Sequence, residues 1–402
     1  MYYNRLMADS SKKRGSSNIF FIGLISFFGG ISQDMFIPVL PLYLANVLHF
    51  DKSFIGLTEG LVTSSASIFR MVAGYLSDKL RKNKPIVFAG YFLSLVSRPL
   101  LAILTSGVGV ASLRFIDGVG KGVKDSPKDA LIAESTQVES RGKGFGIVRA
   151  LDTFGSVAGP LLLFALLFVL KNNTLKYHYI FFITAIPLLF TLSILSLFVK
   201  EAPVKNVETN RLKSPLPARF LWFLAIVLLF SIGNSSDTFL ILRSQNLGVG
   251  LLGIPLVYAL FNAVYASASI PLGSLSDKIG REKVILVGWI FYALSYLGFA
   301  MANKSYQAWL LFAFYGIYYA TTEGVVKAYI ADQVASGHRG KAYGLYNSLV
   351  GLVTLPASFI AGLLWDKISP AAPFYFSALV ALFAGLLLFI YTRFFKSEPR
   401  QA

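Results

Sequence analysis

Cysteine is absent from this chain. No disulfide framework, thiolate metal site or cysteine nucleophile can therefore be built from it. Histidine is scarce, and His49, His178 and His338 all fall at the ends of apolar runs or in loops. No metal-ligand cluster, nucleotide-binding loop or nucleophile elbow is found, so neither an enzyme nor a resident metal or cofactor is expected. Charge is scarce too. Only 14% of residues are charged, against 55% hydrophobic and 15% aromatic, where soluble domains carry about a quarter charged residues. Acidic residues are the scarcer sign, 20 against 37 basic, for a net charge of +17. Such an excess would suit nucleic acid, but here the cations gather at the ends of apolar runs. That is how a membrane protein marks its cytoplasmic side, so the expected partner is the lipid bilayer and not nucleic acid.

Residues 1–17 are polar, and the long apolar run behind them shows no small-residue cleavage site. A removable signal peptide is not expected. Runs of membrane-spanning length fall at Asn18–Leu48, Phe54–Ser77, Ile86–Thr105, Val108–Glu134, Gly142–Leu170 and Tyr177–Val199. Lys200–Arg219, with Pro203, Pro215 and Pro217, reads as a loop. Further runs follow at Phe220–Leu242, Leu251–Ser276, Val284–Ala302, Gln307–Ala331, Gly340–Trp365 and Ala372–Phe395. The expected fold class is an all-α membrane protein of about twelve transmembrane helices. Residues 1–199 and 220–402 form two six-helix bundles, joined by a cytoplasmic linker at 200–219.

Lysine and arginine set the orientation. Arg5, Lys12, Lys13 and Arg14, then Lys79, Arg81, Lys82 and Lys84, then Lys278, Arg281 and Lys283, then Arg339 and Lys341 lie on one side with the basic tail. The alternate loops hold scattered charges such as Lys52, Lys171 and Lys304. Both termini are expected in the cytoplasm, with the chain in the cell's inner or plasma membrane. The sequence also repeats. GYLSDKL at Gly74–Leu80 returns as GSLSDKI at Gly273–Ile279, ALIAE at Ala130–Glu134 as AYIAD at Ala328–Asp332, and RGKGFG from Arg141 as RGKAYG from Arg339. All are displaced by about half the chain in the same order. The halves are parallel pseudo-repeats, an arrangement in which transporters bind near the midplane.

These residues resemble the major facilitator superfamily over essentially the full length. The signature after that family's second helix, GxLxDxxGRK, is met at Gly273, Leu275, Asp277, Gly280 and Arg281. In the first half Gly74, Leu76, Asp78 and Lys79 meet it, with Arg81 in the place of the glycine. RxxxGxG on the fourth helix is met at Arg114, Gly118 and Gly120, and GxxxGP on the fifth at Gly155, Gly159 and Pro160. The resemblance implies the family's fold, alternating access, and a cytoplasmic gate at Gly74, Asp78, Lys79, Gly273, Asp277 and Arg281. A helix-end carboxylate facing the positive end of another helix would lock that gate; the alternative is a local cap or a pair with Lys79 or Lys278. In the family GxxxGP goes with proton-driven exporters, though the glycines that usually follow are Leu162 and Leu163 here.

The stretch Arg114–Glu134 carries the densest chemistry. Arg114, Asp117, Lys121, Asp125 and Lys128 recur every three or four residues and form one helical stripe. Gly118, Gly120 and Gly122 leave room for a neighbouring helix. Pro127 is expected to make the end of this helix irregular, with Lys128 and Asp129 solvated at the cytoplasmic mouth. Charges inside a membrane must face a partner or a water-filled cavity. Those expected to serve substrate or coupling are Asp34, Arg70, Arg98, Arg114, Asp117, Lys121, Asp125, Arg149, Asp152, Asp237, Glu323 and Lys327, with Tyr319. Arg149 with Asp152 and Glu323 with Lys327 are spaced to share a face, where mutual neutralisation is the other reading. Asp34 and Asp237 have no partner within one turn. Each must find a cation on another helix or take up a proton, as coupling requires. Tyr315, Tyr318 and Tyr319 line a cavity or simply pack.

A membrane enzyme, a channel or non-transporting receptor, and a secondary transporter are the classes to weigh. The parallel repeats favour the transporter. Interior charges of both signs suit a small polar solute, anionic or zwitterionic, and through the family resemblance GxxxGP favours proton-coupled export; a monomer is expected. Import of an anionic metabolite or a metal chelate such as a siderophore is the alternative.

Overall fold

The apolar runs fold as helices because a backbone in lipid must satisfy its own hydrogen bonds. The computed structural model describes residues 2–136, 141–201, 215–335 and 338–394; the side chains of residues 2–16 and of Asp78 lie outside that description. Fifteen helical elements and no strand occur among the described residues. They are α1 (Tyr2–Phe36), α2 (Leu40–Asn46), α3 (Lys52–Leu80), α4 (Lys84–Leu100), α5 (Gly107–Glu134), α6 (Arg141–Val169), α7 (Lys176–Ile183) and α8 (Ala185–Leu197) before the linker. After it come α9 (Ala218–Gly233), α10 (Thr238–Asn246), α11 (Gly253–Ile279), α12 (Arg281–Met301), α13 (Ser305–Gln333), α14 (Arg339–Lys367) and α15 (Ala372–Phe394).

Joining α1 to α2, α7 to α8 and α9 to α10 gives twelve spans, six on either side of the linker. Eight are long and apolar enough to cross a membrane on those grounds alone. Of the others, α3, α5 and α13 have 29, 28 and 29 residues and are long enough, but they carry the interior charges and hydroxyls. α4 has 17 residues.

The first span of each half is broken at corresponding places. α1 stops at Phe36 because Pro38 lacks an amide hydrogen and fixes its φ. Asp34 lies in the last turn before that break. In the second half no proline intervenes; α9 ends at Gly233 and α10 starts after Asp237. Side chains instead take up the freed backbone groups. The Ser236 amide donates to Ser358 Oγ at 3.1 Å, and the Tyr292 hydroxyl donates to the Gly233 carbonyl at 2.8 Å. Discontinuous helices in corresponding positions mark where a transporter holds its cargo.

Contacts divide the described chain into two compact units. One takes the residues up to Tyr43 and Ser65 through α8, and the other takes Leu44–Ser64 and α9 onwards. The division cuts α3. In the first unit α1 packs on α6 and α4 on α5. Ile22, Ile25, Tyr91, Leu131, Val148 and Leu192 lie in its buried core. A Cβ on Gly120 would meet the Gly90 carbonyl of α4, and one on Gly122 the Ala66 carbonyl of α3, so α5 touches both neighbours backbone to backbone. Gly155 and Gly159 bring α6 equally close to Phe27 and Ile31 of α1, and Pro160 is buried beside them.

In the second unit α11 and α12 pack on α13, and α12 also on α15. The Ser64 hydroxyl at the end of the α3 segment in this unit donates to the Gly351 carbonyl at 2.8 Å. Arg243 on α10 binds the carbonyls of Phe299 at 3.0 Å and Ala302 at 2.9 Å, closing the C-terminal end of α12.

Two expectations are corrected. Pro127 does not disturb α5, which runs unbroken from Gly107 to Glu134. Pro127 is buried there, and packing on both sides outweighs one missing helical hydrogen bond. Lys128 is not solvated either; it donates to Ser26 Oγ on α1 at 3.3 Å, while Asp129 is exposed.

The repeated signature shows what replaces its missing glycine. Arg81 takes the glycine's backbone role with φ 53°, and its amide donates to the Ser77 carbonyl at 2.8 Å. Gly280 has φ 102° and bonds Ser276 in the same way.

Candidate functional site

In the first unit the α5 stripe resolves into two clusters. Asp117 is fully buried and gathers three cations. Arg114 NH1 lies 3.2 Å from it, Lys121 Nζ 3.4 Å, and Arg98 Nε of α4 3.4 Å. The spacing along α5 supplies two of these, and the Gly90–Gly120 contact between helices supplies the third. Arg98 also donates to Ser32 Oγ and Gln33 Oε1 of α1, both at 2.6 Å, and Ser32 donates onward to the Thr184 carbonyl at 2.5 Å. Phe36 lies beneath both guanidinium groups, with its centroid 5.3 Å from Arg98 and 5.4 Å from Arg114. Gly118 is buried on the same helix. The lower cluster centres on Asp125, which pairs with Arg70 of α3 at 2.5 Å and with Lys124 at 2.9 Å.

Asp34 is buried and takes a hydrogen bond from the Ser156 side chain. Arg98 and Lys121 act on it electrostatically, as does Asp152, but no cation comes within ion-pair distance among the described residues. Arg149 and Asp152 pair at 3.4 Å on the more exposed face of α6.

The second unit has a different character. Asp237, at the break between α9 and α10, accepts hydrogen bonds from Tyr315 at 2.5 Å and Tyr319 at 3.2 Å. Among the described residues no cation pairs with it, and Glu59 of α3 acts on it electrostatically. Glu323 accepts a short hydrogen bond from Tyr265 and sits 3.8 Å from Lys327. Tyr315 and Tyr318 are buried in packing, and Tyr319 is partly open.

At the helix ends Arg281 pairs with Asp277 at 3.2 Å and with Asp332 of α13 at 2.8 Å. The Asp277 side chain is 59% exposed, and a Cβ on Gly273 would meet nothing. On the first half's side Lys79 is exposed and Gly74 faces Ser126, while the expectation for Asp78 lies outside the described residues.

The structure therefore joins Arg98, Arg114, Asp117 and Lys121 with Asp34 close by, and separately joins Arg70 with Asp125. Sequence reading missed Ser32, Gln33 and Ser156, which carry no distinctive pattern. It also missed Glu59, whose charge inside an apolar run was a legible signal, and Tyr265.

Comparison with known proteins agrees with this architecture. The family description Major Facilitator Superfamily matches residues 22–244 and 221–402. An uncharacterized MFS-type transporter of Methanocaldococcus jannaschii is 39% identical over 93% of this chain and 94% of its own length. The multi-drug resistance efflux pump PmrA of Streptococcus pneumoniae is 25% identical over 73% of this chain and 75% of that protein. Among solved structures, a D-xylose-proton symporter superposes with a TM-score of 0.77 at 16% identity, covering 93% of this chain and 98% of that one. The chain belongs to the major facilitator superfamily and is an integral membrane transporter.

Proposed function

We propose that this transporter exports a small polar solute with an anionic group, coupled to protons, by alternating access. The observation that carries the reading is the buried cluster in the first unit. Three cations, Arg98, Arg114 and Lys121, pair with Asp117, and Arg98 and Lys121 also act electrostatically on Asp34. Cations gathered in a low dielectric favour an anionic ligand. Arg98 and Arg114 present planar guanidinium groups suited to a carboxylate or phosphate. Asp34 and Asp237, each at a helix break and without an ion-pair partner among the described residues, are the coupling candidates. Gly155, Gly159 and Pro160 support export, as does similarity to a protein named an efflux pump. Asp78, Asp277 and the residues beside them serve as the gate in this reading.

The test is a proteoliposome with an imposed pH gradient, loaded with solutes that a growth screen of a deletion strain selects. Asp34→Asn fixes the neutral form of the side chain. It should abolish gradient-driven net flux while leaving solute-for-solute exchange. A mutant that still concentrates solute under the gradient removes Asp34 from the coupling role and makes Asp237 or Glu323 the next candidate.

A further inference from the structure

In the second unit the coupling candidate Asp237 lies among aromatic rings that the anionic-solute reading leaves unused. Tyr319 stands nearly at right angles to Phe261, Tyr265 and Tyr315, with interplanar angles of 82°, 71° and 71° and centroids 5.1, 5.7 and 5.2 Å away. Phe261 and Tyr265 lie nearly parallel, 12° apart. Tyr265 and Tyr319 are partly open, while Phe261 and Tyr315 are buried. Two carboxylates are tied to these rings by hydroxyl hydrogen bonds, Asp237 through Tyr315 and Tyr319 and Glu323 through Tyr265. Among the described residues the side chains that hydrogen-bond Asp237 are hydroxyl donors, and the Glu59 carboxylate acts on it electrostatically. Hydroxyl donors satisfy hydrogen bonds but leave the charge of a carboxylate unbalanced.

A second observation points the same way. Tyr296 is 1% exposed and lies beside Tyr292, Tyr315 and Ser235, within the electrostatic reach of Asp237. Its hydroxyl meets none of these groups in hydrogen-bonding geometry. A buried phenol held off good hydrogen-bonding geometry gains from a better-placed partner. Tyr292 stacks against it at 4.1 Å, so the ring is held in place.

We infer that Asp237 and the partly open rings of Tyr265 and Tyr319 form a subsite for the ammonium group of the transported solute. Aromatic faces attract a desolvated cation and the Asp237 carboxylate supplies the counter-charge. The inference rests on the transporter reading and sharpens it: the solute carries an amine or quaternary ammonium, and with an anionic group at its other end it is a zwitterion. Lys327, 3.8 Å from Glu323 and half exposed, neutralises the outer carboxylate and leaves Asp237 to the cation.

Binding is measured on the purified full chain in detergent, by calorimetry and by ligand-induced shift of the melting temperature. The probes are choline and ethanolamine, each against a neutral isostere, 3,3-dimethylbutan-1-ol and propan-1-ol. At least one ammonium probe should bind saturably and raise the melting temperature, with its neutral isostere inert at the same concentration. Asp237→Asn should weaken that binding by about tenfold or more, and so should Tyr319→Leu, whereas Tyr319→Phe keeps the ring and should stay within a few-fold of the native protein. If Tyr319→Leu does not fold, the Asp237→Asn result decides. Absence of binding by both ammonium probes, equal binding of the isosteres, or unchanged binding in Asp237→Asn overturns the subsite. Gradient-driven flux in proteoliposomes is read separately, so losing the subsite leaves the transport reading standing. Failure of flux with intact choline or ethanolamine binding would overturn the transport reading alone.

Discussion

Asp117 is the residue on which the most charge depends. It is buried against Arg98, Arg114 and Lys121, and its amide replacement would leave those cations without their carboxylate. Breaking a buried pair costs about 3–5 kcal/mol. Asp117→Asn should therefore lower the melting temperature of the purified protein sharply. Asp277→Asn, at a partly exposed pair, should change stability by less than about 1 kcal/mol. Thermal melts of the two variants side by side check the contrast. Backbone strain gives a second residue-scale prediction. Arg81 holds φ 53° where its counterpart Gly280 holds φ 102°. A left-handed conformation costs a residue with a side chain about 1–2 kcal/mol. Arg81→Gly should raise the melting temperature and Gly280→Ala should lower it. A fall for Arg81→Gly would mean that the arginine side chain contributes more than its backbone costs.

At the scale of elements, glycine decides how near α5 approaches its neighbours, and that distance decides which charges meet. Arg98 reaches Asp117 because α4 and α5 touch at Gly90 and Gly120, and Arg70 reaches Asp125 because α3 and α5 touch at Ala66 and Gly122. Gly122→Val places a side chain against the Ala66 carbonyl and the Arg70 amide. It should cost about 1–3 kcal/mol by overpacking and weaken the Arg70–Asp125 pair. Gly146→Ala, where a Cβ meets nothing within 4 Å, should leave stability unchanged. The measurement is again the melting temperature, read together with transport. The broken spans belong to this scale too. One break comes from Pro38, whereas the other is stabilised by Ser358 and Tyr292 from distant helices.

For the whole molecule the absence of cysteine makes the orientation directly measurable. Single cysteines at Lys304 and Lys341, both exposed, would be the only thiols in the chain. With both termini cytoplasmic, a membrane-impermeant maleimide added outside intact cells should label Lys304→Cys and spare Lys341→Cys until the membrane is opened. The reverse pattern would invert the topology.

The sequence alone determined the membrane class, the spans, the repeat of the two halves and the family. Each of these is written along the chain, in apolar run length, in basic loops and in motifs recurring at half its length. The pairs Arg114 with Asp117 and Arg149 with Asp152 were legible for the same reason, since helical spacing places them together. Tertiary structure alone decided that Arg98 belongs to Asp117 and Arg70 to Asp125, that Ser156 holds Asp34, and that Tyr265 and Glu59 stand with the carboxylates of the second unit. Those partners come from helices far apart in sequence, brought together by backbone contacts, and no local periodicity encodes them. The continuity of α5 through Pro127 was decided there as well, because packing from neighbouring helices overrides the local cost of a proline.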